Sequence, residues 1–251
     1  MARFIPLKSM ILFFGLMFIS STAWADKVYV AVAANFTAPA KEIAEAFEQE
    51  TGHQAVLSFG STGKLYIQII NGAPYGVFLA ADAARPERLE QEGVAVLGSR
   101  FTYAKGKIVL YSRDDDLIQG SPDVLGQEAA FQKLAIANPK TAPYGFAAIE
   151  TLKHLSVYEQ NKDKLVKGDN IAQAYQFVFT QNAQVGFVAL SQVINEAKGS
   201  RWIVPQDFYS PIRQQAVLLK QDADNPAAQA FVTFLSADGA RAIIKRFGYG
   251  N

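Results

Sequence analysis

The chain has 251 residues, with 24 Lys and Arg against 23 Asp and Glu, two His and no Cys. That even balance leaves no basic face for nucleic acid, and any anion must be held by local geometry rather than by the field of the whole protein. Without Cys, stability comes from burial alone, and the length allows one large domain or two modest lobes.

At the N-terminus, Arg3 and Lys8 precede an apolar run from Met10 to Ile19, and Ala23-Trp24-Ala25 fits the small-x-small cleavage rule. Residues 1–25 are therefore expected to be a secretory signal peptide, cleaved after Ala25. The run is short for a membrane span, and no Cys stands at the junction to take a lipid. The mature chain then holds 22 basic and 23 acidic residues, a formal charge of −1. No later segment is long and apolar enough to span a bilayer.

Beyond the leader, β-branched and apolar residues predict a strand over 27–34. Ile43, Ala44 and Phe47 recur at helical spacing over 37–51, a helix that Gly52 ends. A strand over 54–59, a helix over 64–71, a strand over 77–81 and a short helix over 85–92 follow. This βαβαβ order implies a parallel sheet with right-handed crossovers. The pattern breaks at 100–107. Further strands are expected over 108–111, 134–137, 185–189, 202–204 and 216–219. Helices are expected after the turn at 143–145 through about 154, over 170–180, after 189 through 197, over 226–235 and over 237–247. The simplest architecture is α/β with two lobes, each a mainly parallel sheet flanked by helices. Residues 26–104 with 213–251 form the first lobe and 105–212 the second. Crossing segments near 103–107 and 205–212 serve as the hinge. Ligands of open α/β sheets bind at the carboxyl ends of strands, and the polar turns of this chain lie there.

Two of those turns share a design. Val30-Ala31-Val32-Ala33-Ala34-Asn35-Phe36 runs from an apolar strand into a polar turn, and Ser58-Phe59-Gly60-Ser61-Thr62-Gly63-Lys64 does the same with hydroxyls in the turn. Each leads into a helix, whose free N–H groups and positive dipole end suit an anion. Each alone is equally a helix cap, from Asn35 in the first case and from Ser61 or Thr62 in the second. Together they favour one anion held between them, with Lys64 pointing outward. The second turn is not a nucleotide loop, because position 58 is Ser where Gly is required and position 65 is Leu where Ser or Thr is required. Asn138-Pro139 and Pro143-Tyr144-Gly145 make a rigid turn between strand and helix. Gly168-Asp169-Asn170-Ile171 starts a further helix, capped by Asp169 or Asn170. His53 and His154 read as surface residues, and Asp114-Asp115-Asp116 as a solvated turn without calcium-loop spacing. With no Gly-x-Ser-x-Gly either, catalysis has nothing to stand on, and a binding role is expected.

These residues resemble those of the periplasmic molybdate-binding proteins, the substrate-binding components of molybdate ABC importers. The likeness covers essentially the whole mature chain. It rests on Ala33-Ala34-Asn35-Phe36, on the turn from Ser58 to Gly63, and on Asn71-Gly72-Ala73-Pro74-Tyr75-Gly76 with the strand that continues to Asp82. Ala137-Asn138-Pro139 with Ala142-Pro143-Tyr144-Gly145, Val185-Gly186-Phe187-Val188-Ala189 and the ending Phe247-Gly248-Tyr249 complete it.

The resemblance implies the two-lobed periplasmic binding protein fold, with the ligand in the interlobe cleft. It implies molybdate or tungstate gripped by neutral donors: Ala34 and Asn35 from the first turn, Ser61 and Thr62 from the second, and the amides of Tyr144 and Ile171 from the second lobe. It also implies no enzymatic turnover, no cofactor, no side chain bound directly to molybdenum, a membrane permease as partner, a periplasmic location and a monomer. Some members supply a Tyr hydroxyl from the segment that matches Val188-Ala189-Leu190. Position 189 is Ala here, so Asn35 or the Tyr144 side chain is the candidate replacement. Another oxyanion such as sulfate or phosphate, or a small organic anion, is the alternative ligand. A secreted enzyme using the same cleft is the alternative function.

Overall fold

The computed structural model describes residues 25–250, so the expected leader, all but Ala25, lies outside the described residues. In chain order these form β1 (Lys27–Ala33), α1 (Thr37–Thr51), β2 (Gln54–Gly60), α2 (Thr62–Ile70), β3 (Val77–Ala80), α3 (Ala84–Gln91), β4 (Phe101–Gly106) and β5 (Ile108–Ser112). There follow β6 (Leu134–Ala137), α4 (Pro143–His154), α5 (Tyr158–Asn161), β7 (Leu165–Gly168), α6 (Ile171–Phe179), β8 (Val185–Ala189) and α7 (Leu190–Val193). The last elements are β9 (Ser200–Ile203), β10 (Ile212–Leu218), α8 (Pro226–Leu235) and α9 (Asp238–Arg246).

The strands make two five-stranded sheets, ordered β2-β1-β3-β10-β4 and β7-β6-β8-β5-β9. In the first, β1 pairs in parallel with β2 and β3, while β10 pairs antiparallel with β3 and β4. The second repeats this plan, with β5 antiparallel to β8 and β9. Each sheet therefore has one reversed strand, and the rest run together. The reversed strands are those that receive the chain from the other sheet. Lys107 alone joins β4 to β5, and β10 takes the chain back after β9.

Both faces of each sheet are covered, which is why the parallel strands read as apolar runs. In β1, Val28, Val30 and Val32 meet Ile43 and Phe47 of α1 and Phe231 of α8 on one face. Ala31, on the other face, meets Leu65 and Ile69 of α2 and Leu89 of α3. In the second sheet, Leu134 and Ile136 pack with Ala147 and Leu152 of α4, while Ala135 packs with Val178 of α6. Helix α1 stops at Gly52, whose φ of 74° lets its N–H turn back to the Glu48 carbonyl.

The structure differs from expectation at four elements. Residues 101–106 form β4, and 165–168 form β7, where only a break and a helix start were expected. Helix α7 ends at Val193 rather than 197, and Gly199, with a φ of 89°, precedes β9. Strand β10 begins at Ile212, four residues before the expected 216, because pairing with β4 extends it.

Phe231 is fully buried and meets Phe47 edge-on, with ring centroids 5.2 Å apart. Phe231→Leu leaves a partly filled hole in the layer between α1, α8 and the first sheet, outside the lining of the interlobe pocket. Urea unfolding should show a loss of on the order of 1–3 kcal/mol with an unchanged slope. A parent-like midpoint would mean that the α1–α8 layer does not hold the first sheet.

Candidate functional site

The turns singled out from sequence converge. Ala34, Asn35, Ser61, Thr62, Tyr144 and Ile171 all line one pocket between the sheets, with Ala33, Gly60, Ala81, Ala142, Pro143 and Asn170. No Lys, Arg, His, Asp or Glu is among them. The centre of a water-sized sphere can reach about 10 Å³ of it, which is room for roughly one small particle. A larger hollow of about 510 Å³ lies beside α9, lined by Phe101, Asp238, Arg241 and Lys245 among others, but no such set of helix starts meets there.

What converges on the pocket is hydrogen-bond donors. A helix leaves its first N–H groups without partners in the helix, and the local sequence decides which stay free. In α4, Pro143 occupies the first position and has no N–H, while the N–H groups of Gly145 and Phe146 both reach back to the Ala142 carbonyl. The Tyr144 N–H is left over. In α6, Asn170 is the cap: its Oδ1 accepts the Gln173 N–H at 3.0 Å, and Gln173 Oε1 in turn accepts the Asp169 N–H at 2.6 Å. The Ile171 N–H stays free.

The hydroxyls of the second turn are not caps. Ser61 stands at the cap position of α2 but makes no side-chain cap bond. It is 3% exposed, and its Oγ has no partner in the protein. A buried hydroxyl without a partner is costly, and this one lines the pocket. Thr62 Oγ1 accepts the Ala81 N–H at 3.1 Å. A hydroxyl that accepts one bond still has its proton to give, so β3 orients Thr62 as a donor. Lys64 points outward as expected, half exposed and paired with Asp169 at 2.9 Å.

Asn35 is not a cap either. Its Nδ2 donates to Gln214 Oε1 at 2.6 Å and to Tyr249 Oη at 3.0 Å. Its side-chain amide is thus engaged by β10 and the C-terminal tail. The Tyr144 ring is buried, and its hydroxyl lies so close to Gly106 that a Cβ there would come within 2.2 Å of it. The Asn35 side-chain amide is thus committed elsewhere, whereas the Tyr144 hydroxyl has no partner in the protein; Ala189 is buried and outside the pocket lining. Among the pocket-lining side chains, the hydroxyls of Ser61 and Tyr144 are both without a partner. Sequence reasoning did not find the supports behind the pocket, Ala81, Gln214 and Tyr249. Ala81 and Tyr249 carried a signal only as parts of segments that mark the resemblance, and Gln214 carried none.

Two contacts join the lobes at the pocket rim. The Gly63 N–H donates to the Thr141 carbonyl at 2.8 Å, and the Lys64–Asp169 pair lies beside it.

The chain is also similar to known proteins. The chain matches the family model for bacterial extracellular solute-binding proteins over residues 28–250. It is 54% identical over 247 residues to the molybdate-binding protein ModA of Azotobacter vinelandii, covering 97% of this chain and 98% of that protein. It is 52% identical over 227 residues to the molybdate-binding protein ModA of Rhodobacter capsulatus, covering 90% of this chain and 89% of that protein. Its structure is similar to that of the Azotobacter vinelandii periplasmic molybdate-binding protein, with a TM-score of 0.86 and 40% identity over 89% of this chain and 99% of that one.

Tyr103, Tyr144 and Tyr249 are buried close behind the pocket. Burial pushes the first two hydroxyls well above the usual phenol range, and Tyr249 up to about 12. A phenol whose pKa rises on folding contributes its full stability below the unfolded value of about 10 and loses it as pH climbs through the folded value. Stability should therefore fall between pH of about 10 and 12, and in an ultraviolet titration these phenolates should appear only together with unfolding. Complete tyrosine ionisation in a still-folded protein would show that the cluster is open to solvent.

Proposed function

The chain belongs to the bacterial extracellular solute-binding proteins, among their molybdate-binding members, and from that premise we propose that its interlobe pocket takes molybdate or tungstate. It is a binding component of an ABC importer, not an enzyme, and uses no cofactor. The observation that carries the ligand reading is the buried, unpartnered Ser61 hydroxyl beside the Thr62 hydroxyl, in a pocket lined without any charged side chain.

A dianion taken out of water without a cation needs its oxygens saturated by donors. The free amides of Ala34, Asn35, Tyr144 and Ile171 and the two hydroxyls are such donors. The helix starts add roughly 0.3–1 kcal/mol each through their dipoles. A site of fixed donors also selects. Sulfate is smaller than molybdate or tungstate and falls short of contact. Phosphate near neutral pH keeps a proton, which needs an acceptor that a donor-only site does not offer.

The two lobes close over the ion about the segments 103–107 and 205–212, which divide 26–104 with 213–251 from 105–212. The permease then reads the closed form. The protein acts as a monomer, binds no nucleic acid, and reaches the periplasm after cleavage of its leader at Ala25.

Titration calorimetry should show tight binding of molybdate and tungstate, weak binding of sulfate and almost none of phosphate. Thr62→Ala removes a donor to a charged group, worth roughly 1.5–3 kcal/mol, so molybdate affinity should fall on the order of ten- to a hundredfold. It also strands the buried Ala81 N–H and should lower ligand-free stability by about 1–3 kcal/mol. Thr62→Ser should keep most of both. Equal affinity for sulfate and molybdate, or parent-like molybdate affinity in Thr62→Ala, would remove this reading.

Small-angle scattering should give a smaller radius of gyration with molybdate than without it. The Gly63–Thr141 bond and the Lys64–Asp169 pair form only when the lobes meet. An unchanged profile would mean that the lobes are closed before the ion arrives.

A further inference from the structure

The C-terminal residues, notable in the sequence only as a mark of resemblance, form a strap across the hinge. Gly250 and Lys105 exchange two backbone hydrogen bonds, Lys105 N to Gly250 O at 2.8 Å and Gly250 N to Lys105 O at 2.9 Å. This pairs the tail with the end of β4, where the chain crosses between lobes. Gly248 has a φ of 81°, and a Cβ on it would lie 2.8 Å from Ile194 Cδ1 and 3.0 Å from Leu190 Cδ2. A glycine there lets the strap lie against α7 of the second lobe and still turn inward. Tyr249 then enters the interior, 5% exposed, its ring edge-on to Phe36 with centroids 5.3 Å apart.

Its hydroxyl meets both polar ends of one residue. Tyr249 Oη donates to the Asn35 carbonyl at 2.7 Å and accepts from Asn35 Nδ2 at 3.0 Å. The second Asn35 amide proton goes to Gln214 Oε1 at 2.6 Å. Ser191, on α7, donates to the Asn35 carbonyl at 2.9 Å and lies 2.9 Å from Tyr249 Oη. The side chain and carbonyl of Asn35 are thereby held on the hinge side. The N–H groups of Ala34 and Asn35 are the parts of this turn left for the pocket.

We propose that Tyr249 is a positioning residue for the anion site: its hydroxyl, carried in by the C-terminal strap, fixes Asn35 so that the Ala34 and Asn35 amides face the ion, and ties that turn to Ser191 of the other lobe. This rests on the reading of the pocket as an oxyanion site. Tyr249 touches no ligand; it acts through Asn35. The raised pKa of its hydroxyl keeps the donor protonated at every pH at which the protein is folded and working.

Tyr249→Phe removes the hydroxyl and keeps the ring against Phe36. Two measurements test it, each beside the parent and Phe231→Leu, which lowers stability without altering a pocket-lining residue or a hydrogen bond to Asn35. Calorimetry with sodium molybdate, well below the melting temperature, should show affinity about tenfold weaker in Tyr249→Phe and parent-like in Phe231→Leu. Amide hydrogen exchange on ligand-free protein should show the Thr37 N–H, which closes the turn onto the Ala34 carbonyl, exchanging about tenfold faster in Tyr249→Phe alone. If the parent binds no molybdate but Thr37 is loosened, the ligand reading fails and the positioning role stands. If Tyr249→Phe binds as tightly as the parent, if Thr37 exchanges at the parent rate, or if Phe231→Leu loses as much affinity, the proposal is overturned.

Discussion

An anion moved from water into a protein loses a shell of donors that turns freely to meet it, and a cleft without cations must replace that shell with groups held in advance. On the proposed reading of this pocket, much of the local structure around it serves that requirement. Pro143 removes one N–H from the start of α4, and the Ala142 carbonyl takes two more, leaving a single amide aimed at the cleft. Asn170 and Gln173 settle the neighbouring amides of α6 between them. Ala81, on the edge of β3, fills the accepting side of Thr62. These residues gain nothing from the ion themselves. Their role is to leave a few donors with no other partner.

The closing motion proposed above needs the opposite quality, a balance that is easily tipped. The contacts that bridge the lobes at the rim are few. One is a single backbone hydrogen bond from Gly63 to Thr141, and another is the exposed pair Lys64–Asp169, of a kind worth little in water. Such contacts bring the closed form within reach without holding it. An ion that touches both lobes then shifts the population by its own differential binding. A larger apolar interface at the rim would hold the lobes shut and slow delivery.

The fold was legible wherever burial imposed a period. Helix α1 could be read from Ile43 and Phe47 and from Gly52 at its end, and β6 and β8 from short apolar runs. Strands β4 and β7 could not. Both lie at sheet edges, and Thr102, Lys105 and Lys167 give them no apolar pattern; the partners that make them strands, β10 and β6, are distant in sequence. The site was legible as a set of turns, and all six expected residues line the pocket. Whether a hydroxyl turns toward its own helix or toward a cleft is a matter of tertiary geometry, so Ser61 and Asn35 stayed ambiguous as caps until their partners, or the lack of them, could be seen. Gln214 and Ser191 left no sequence signal at all, because each matters only through residues that the fold brings from the far end of the chain.

The place of β10 in the first sheet also bears on how the protein is made. All the strands of the second sheet lie between Ile108 and Ile203, so that lobe can assemble from a continuous piece of chain. The first cannot: β10 sits between β3 and β4, and no sheet spans that gap until Leu218 has been delivered. Tyr249 comes later still. During synthesis, and during any passage through a membrane led by the N-terminus, the leading half of the chain stays without its finished core. The lobe that emerges first is the one that folds last.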